Sequence, residues 1–498
     1  MKSKFDVLIV GGGPGGLSVG SLLAKKGISS AIIEKEPVLG GRYRSVNFEG
    51  SHVDNCIHLP TGMVSSPQET YMYKFLTYMG IPVEPKVVEW KLGLVSKDNP
   101  KRIKYLAMDP KKGVENFFEF FAFGSGVPME DTTRKALGKA FRIMEDMSEE
   151  ECRKLVDIPF ASWIEKNVEE PMAKAVLELS APLMGAAAKD VNFGQFANVF
   201  GTFPRVGALL YWYPKRGNME SMVIAPLTKY YRDNGGTILA NRRARSILIE
   251  NGKAKGVVVS NNKTGFLEEY SASVVICAIP IFEAVSRNIL SSKFLTKDWA
   301  EAIKRCGKLA IEDLALFFLL RKKIVPREGS GWVHLFDADY GIPTYVGDLF
   351  VGSMYNAKDP PGKQVIFSYV SGGTEATHFG LTSPMDMVNK AKKRLQDAAE
   401  KAFPGFVESI EHEEMSLQLN WGRYAWAVVP TEIDIQSPNI RGLYFAGDTI
   451  WSVGSMVSDK IYQMVFPLAE SILKYLGTRG YDANELSPKK KSKVVRDC

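Results

Sequence analysis

The sequence predicts an α/β protein, with buried, parallel-type strands legible near both ends of the chain and a long stretch of mixed helical and strand-like pattern between them. Three observations carry that expectation. Residues 6 to 34 read as strand, glycine turn, helix, strand and acid. Residues 443 to 448, LYFAGD, read as another buried strand with an acid at its carboxyl end. Between the two, helical spacing and strand-like alternation follow one another, and no low-complexity linker or internal repeat interrupts them.

The first unit opens on DVLIV, Asp6 to Val10, a continuous apolar run of the kind that forms a parallel strand buried on both faces. Gly11, Gly13 and Gly16 then spell G-x-G-x-x-G, with Pro14 inside the turn. The pattern LSVGSLLAKKG is helical and closes on Gly27, and SSAIIE reads as a second strand ending at Glu34. Each part has its own physical reason. Gly11 makes the tight turn, Gly13 lets backbone approach a pyrophosphate, and Gly16 lets helix and strand pack closely. The helix N-terminus offers free N–H groups and partial positive charge to phosphates. Glu34 is placed to accept hydrogen bonds from ribose hydroxyls. The same stretch contains a decoy, Gly16-Leu17-Ser18-Val19-Gly20, which matches G-x-S-x-G. A nucleophile elbow needs its serine at the turn, and here glycines occupy the turn while Ser18 falls within the helix.

After Glu34 the chain continues KEPVLGGR. Lys35 follows the acid directly, the glycine pair Gly40-Gly41 again permits close backbone approach, and Arg42 can make charge-assisted hydrogen bonds to phosphate oxygens. Residues 71–214 read as mostly helical, FASWIEKNVEEPMAKAVLELSAPLMG being one run at helical spacing. Residues 291–434 contain alternating runs such as KQVIFSYVSG that read as strands. Aromatic residues crowd three places in these stretches: Phe117, Phe118, Phe120, Phe121 and Phe123; Tyr211, Trp212 and Tyr213; and Trp421, Tyr424 and Trp426. Two readings of them stay open, core packing or the wall of an apolar tunnel or membrane-dipping face. Near the other end Asp448 follows LYFAG at the carboxyl end of a strand, where ligands sit in open parallel sheets. Gly454 is expected to begin a further helix whose N-terminus faces an electron-rich ring.

The bulk numbers narrow the classes. The chain has 498 residues and a net charge of +7. The tail from Pro488 carries Lys489, Lys490, Lys491, Lys493 and Arg496 against Asp497, which leaves the body at 58 basic to 55 acidic residues, near neutral. Nothing there argues for a nucleic-acid partner. The tail, 479–498, reads as a solvated, disordered end with anionic lipid as the alternative contact. The five cysteines show no C-x-x-C and the five histidines no paired helical spacing, so neither a disulfide framework nor a metal site is expected. No signal peptide and no membrane span is legible, LALFFLL being too short, and a cytoplasmic protein, peripheral to the membrane at most, is expected.

On these residues the chain resembles the flavin superfamily of phytoene (carotenoid) desaturases, retinol saturase, protoporphyrinogen oxidase and amine oxidases, and within it the phytoene desaturase and retinol saturase-like branch. The N-terminal likeness covers residues 5 to 60, including HVDNCIHL, where the family usually has hydrophobic-Asp-x-Gly. A middle likeness runs from PKRGN through GVVV to VVICAIP, and the last is GLYFAGD. The resemblance implies FAD, tightly held, and a Rossmann-type FAD-binding domain assembled from 1–70, 215–290 and 435–478, with an inserted mixed α+β substrate domain from 71–214 and 291–434. It implies cofactor contacts at Gly11, Gly13, Pro14, Gly16, Glu34, Lys35, Gly41, Arg42, Ala244, Gly447, Asp448 and Met456. Ala244 takes the place of a valine whose backbone touches adenine. No second G-x-G-x-x-G with helix and acid follows, so electrons are expected to pass through the substrate, a quinone, oxygen or a carrier.

The implied reaction is desaturation or saturation of a C–C bond in an apolar isoprenoid, polyene or alicyclic substrate, by hydride transfer with flavin N5. It also needs one group to handle a proton. His58 is the first candidate and Tyr424 the second. A redox-neutral isomerase using reduced FAD, an amine oxidase, and a non-catalytic lipid- or protein-binding module like the GDI and Rab-escort proteins are the alternatives. The chain departs from the family at Cys56 and Asn218, each in a glycine place, and at Tyr462-Gln463, where desaturases often carry Ser-Gly. Ser455, ahead of Met456, replaces an aromatic residue of the amine-oxidase cage.

Overall fold

The computed structural model describes residues 3–55, 61–62, 64, 66–88, 91–95, 103–107, 129–184, 187–206, 210–309, 311–328, 331–337, 344–371, 385–423, 433–451, 453–455 and 457–481. The apolar run at the start becomes the strand Ser3–Val10, and Val7, Leu8, Ile9 and Val10 are all buried. They alternate between two cores. Val7 and Ile9 pack with the helices Pro14–Lys25, Ala225–Asp233 and Val457–Tyr475, whereas Leu8 and Val10 face a layer of helices on the other side. Burial on both faces is why this strand reads as a solid apolar block rather than an alternating one.

The sheet around it has seven strands. Its parallel part runs Thr237–Leu239, Ser30–Ile33, Ser3–Val10, Leu267–Cys277 and Leu443–Phe445, so neighbours in space come from three distant stretches of chain. The antiparallel strands Lys253–Asn261 and Arg242–Glu250 extend it beside Leu267–Cys277. This is the expected α/β class, a Rossmann-type sheet with helices on both faces.

A second seven-stranded sheet orders Ile410–Arg423, Ile311–Leu320, Gln364–Ser371, Thr344–Val351, Trp332–Asp337, Lys91–Val95 and Ile103–Ala107. All its pairs are antiparallel except Trp332–Asp337 with Lys91–Val95. The helix Met385–Ala402 covers one face through Val388, Ala391, Leu395 and Ala399. LALFFLL lies in Ile311–Leu320, a central strand of this sheet with side chains buried on both faces. Among the described residues no helix is long and apolar enough to cross a membrane.

Residues 71–214 hold the expected helices, together with short strands. Pro85–Val88 and Leu210–Pro214 pair in a small sheet with Thr61–Gly62. The run beginning FASWIEK is two helices, Phe160–Asn167 and Pro171–Ser180. Pro171 lacks the N–H that a continuing helix needs, and Glu170 instead caps the second helix by accepting the N–H groups of Met172 and Ala173. Trp212 and Tyr213 are buried in core clusters, which favours core packing for that aromatic segment. Phe117 to Phe123, Tyr424 and Trp426 lie outside the described residues.

Candidate cofactor cleft

A cleft of about 480 Å³ opens at the carboxyl end of the parallel strands and is lined from three parts of the chain. Gly11, Gly13, Pro14, Glu34, Lys35, Gly41 and Arg42 come from the first part, Ala244 and Ala278 to Pro280 from the middle, and Gly447 and Ile461 from the last. The glycines behave differently. Gly11 has φ 108°, and a Cβ there would stand 2.8 Å from Ile279 Cγ2. A Cβ on Gly16 would lie 2.1 Å from the Gly11 carbonyl oxygen, so helix and strand touch backbone to backbone at that point. At Gly13 and Gly447 an added Cβ would meet no protein atom within 4 Å. Both glycines line the cleft, and the protein leaves room beside them.

Gly13 is the N-cap of Pro14–Lys25, with Pro14 in the first turn. No side chain caps this helix and no acid sits in its first turn, so its N-terminal N–H groups and partial positive charge are left to whatever enters the cleft. Glu34 is 8% exposed. One of its oxygens accepts the Gly12 N–H at 2.8 Å and the other the Glu36 N–H at 3.0 Å. Burial raises its pKa, opposed by those two hydrogen bonds. The carboxylate therefore holds the glycine turn and keeps lone pairs facing the cleft.

Arg42 Nη2 pairs with Asp448 Oδ2 at 2.9 Å, joining two predicted cofactor residues from opposite ends of the chain. Lys35 is exposed at the rim, and its carbonyl accepts Asn262 Nδ2 at 2.8 Å. Ala244, 8% exposed, sits at a bulge of Arg242–Glu250. Arg243 and Arg245 beside it, and Arg287 and Glu283 across the cleft, also line it. In all, seven cationic side chains face three carboxylates there, an electrostatic setting suited to a pyrophosphate. The run RRAR carries the signal for the two arginines beside Ala244.

Three predicted site residues, His58, Tyr424 and Met456, lie outside the described residues, as does Cys56. The last helix begins at Val457, not at Gly454. Gly454 has φ 151° and belongs to the preceding loop, because a helical residue needs negative φ. Ser18 lies inside the first helix, fully buried. Asn218, in a glycine place of the family, is held by a reciprocal cap: its Oδ1 accepts the Ser221 N–H at 3.0 Å, and its own N–H donates to Ser221 Oγ at 2.9 Å. Its Nδ2 also donates to the His52 carbonyl at 3.1 Å.

The family described as flavin containing amine oxidoreductase matches residues 14–456. A 4,4'-diapophytoene desaturase (4,4'-diapolycopene-forming) of Methylomonas sp is 23% identical over 290 residues, covering 52% of this chain and 51% of that protein. The chain thus spans about half the length of this curated relative. Among solved structures, an oxidoreductase from Methanosarcina mazei aligns with a TM-score of 0.64 at 17% identity, over 94% of this chain and 100% of the other. Putrescine oxidase bound to putrescine aligns with a TM-score of 0.61 at 17% identity, over 95% and 99%. At such identities the structural likeness shows the fold alone.

Proposed function

This chain belongs to the family of flavin-containing amine oxidoreductases, with FAD as cofactor, and from that premise we propose that it desaturates or saturates C–C bonds of an apolar isoprenoid, polyene or alicyclic substrate. The observation that carries the cofactor side is the space left beside Gly13 and Gly447 within a cation-rich cleft. In this reading the N-terminus of Pro14–Lys25 and Arg42 hold the pyrophosphate, Glu34 accepts the ribose hydroxyls, and the backbone at Ala244 meets the adenine. Gly11, Gly16, Gly41 and Gly447 keep the backbone close, with Lys35 at the rim and Asp448 toward the flavin, and Met456 is the remaining proposed cofactor contact. When bound, FAD supplies a two-electron acceptor or donor for hydride at N5. The chain's own work is to bind and orient the substrate, exclude water and move one proton.

The desaturase relative from Methylomonas supports the apolar substrate class. His58 and Tyr424 are the proposed proton-handling groups, and 71–214 with 291–434 the unit that covers the flavin. Electrons would enter or leave through a quinone, oxygen or a carrier, with peripheral membrane contact through the basic tail. Amine oxidation is a second reading, favoured by the family's description. Against it, Ser455 stands where the amine-oxidase cage has an aromatic residue, and it is buried and donates to Asp459 at 2.8 Å.

Mass spectrometry of what the purified protein releases on denaturation into organic solvent tests the proposal. FAD with a copurifying apolar molecule is the expected result. Anaerobic mixing should then reduce the flavin with a polyene or alicyclic substrate, or reoxidise it, and leave it unchanged with amines. Reduction by amines alone would establish the second reading. Turnover with no electron acceptor would indicate an isomerase, and protein without flavin would leave only a binding module.

A further inference from the structure

The loop between the strand Leu443–Phe445 and the helix Val457–Tyr475 borders the cleft through Gly447 and carries Asp448. Its backbone is held in an unusual shape. Trp451 has φ 55°, a left-handed conformation that bulky residues seldom adopt, and Gly447 and Gly454 have φ 139° and 151°. Such a shape persists only where the surroundings over-determine it.

At Gly454 the restraint comes from one helix of the inserted unit, Phe193–Val206. Gln195 Oε1 accepts the Gly454 N–H at 3.1 Å. The Gly454 carbonyl accepts Asn198 Nδ2 at 2.9 Å and, at greater length, Gln195 Nε2 at 3.4 Å. Gln195 and Asn198 are 0% and 6% exposed and one helical turn apart. A third amide completes the grip. Gln463 accepts the Ser455 N–H at 2.8 Å, and its Oε1 would lie 2.5 Å from a Cβ on Gly454. Burying a primary amide is unfavourable unless its donors and acceptors are met. Here two buried amides and the half-buried Gln463 converge on two consecutive residues just ahead of the last helix.

We infer that Gln195 and Asn198 are positioning residues for the flavin: through the N–H and the carbonyl of Gly454 they fix the loop and the following helix N-terminus against the cofactor, so that the inserted unit governs the flavin's surroundings. This rests on the flavin reading above. The sheet holds the dinucleotide end, and the helix Phe193–Val206 sets the far end through the two peptide groups that flank Gly454.

The test compares the purified full chain with Gln195→Leu, Asn198→Leu and Gln195→Glu. Phe200→Leu serves as a control on the same helix, its ring stacked on Phe196 at 4.3 Å. Visible flavin absorption, FAD affinity and melting temperature are read together. The leucine variants should bind FAD at least about fivefold more weakly, the worth of one lost hydrogen bond, and shift or blur the flavin bands. Gln195→Glu keeps the acceptor for the Gly454 N–H and should fall between. Phe200→Leu should lower the melting temperature and leave the bands unchanged. Leucine variants that melt earlier with wild-type bands and FAD affinity would overturn the inference, leaving the amides a purely structural role. If those variants do not fold, the Gln195→Glu spectrum decides, altered bands supporting the inference and wild-type bands overturning it. A wild-type protein without flavin would overturn the flavin reading together with this one.

Discussion

Gly13 and Gly16 share one turn, yet an added methyl group should harm them in different ways. At Gly16 the new Cβ would press on the Gly11 carbonyl oxygen at 2.1 Å, so Gly16→Ala should lower the melting temperature and lose the cofactor together. At Gly13 the backbone, φ −72° and ψ −179°, suits alanine, and the Cβ would meet no protein atom within 4 Å. Gly13→Ala should therefore melt like the wild-type apoprotein while binding FAD about tenfold more weakly, from overpacking of ~1–3 kcal/mol against the pyrophosphate. A flavin titration beside a thermal melt separates the two, and unchanged affinity would place the pyrophosphate elsewhere. This turn was legible because every constraint on it is local: strand, glycines, helix and acid follow one another within a few turns of chain. The grip of Gln195 on Gly454 was not legible. A glutamine inside a helix has no spacing signal, and its partner lies 259 residues away.

The helix Phe193–Val206 approaches its neighbours through glycines. A Cβ on Gly194 would lie 2.1 Å from the Cys152 carbonyl oxygen, and one on Gly201 2.1 Å from that of Met144. Gly201→Ala should thus cost about 1–3 kcal/mol by forcing two helices apart. Gly138, within Asp131–Glu145, has nothing within 4 Å of its would-be Cβ, and Gly138→Ala should stabilise by about 0.5–1 kcal/mol. Denaturant unfolding of the two variants checks the opposite signs. Helix spacing was legible here, but helix ends were less so. The apolar period continues across Val168 to Glu170, so only Pro171 marks the break between the two helices. LALFFLL was likewise ambiguous, since a strand buried on both faces has no alternation to display.

Asp54 ties the pieces of the molecule together. Its carboxylate accepts the Tyr213 hydroxyl at 2.6 Å and the Met219 N–H at 3.2 Å, and its carbonyl accepts the Tyr369 hydroxyl from the second sheet at 2.8 Å. Burial raises its pKa from 3.8 to about 7, with the Glu220 charge adding to the rise and the Tyr213 and Met219 hydrogen bonds opposing it. The folded state therefore holds this proton more tightly than the unfolded chain. Its contribution is full below about pH 4 and is lost as pH rises to about 7, a span worth about 4 kcal/mol. Asp459, raised by burial to about 6, acts in the same direction. Asp54→Asn, uncharged and similar in shape, should lose less melting temperature than the wild type between about pH 5 and pH 8. Equal slopes would remove Asp54 from this role. The parallel sheet has a different consequence, for synthesis. Ser3–Val10 leaves the ribosome early, but its neighbour Leu267–Cys277 and the strand beyond it, Leu443–Phe445, are made much later. At ~5–20 residues per second the first strand spends tens of seconds with one edge unpaired, an apolar template open to chaperones and to other nascent chains. A product truncated before Leu443 would carry the whole glycine turn and still lack one wall of the cleft.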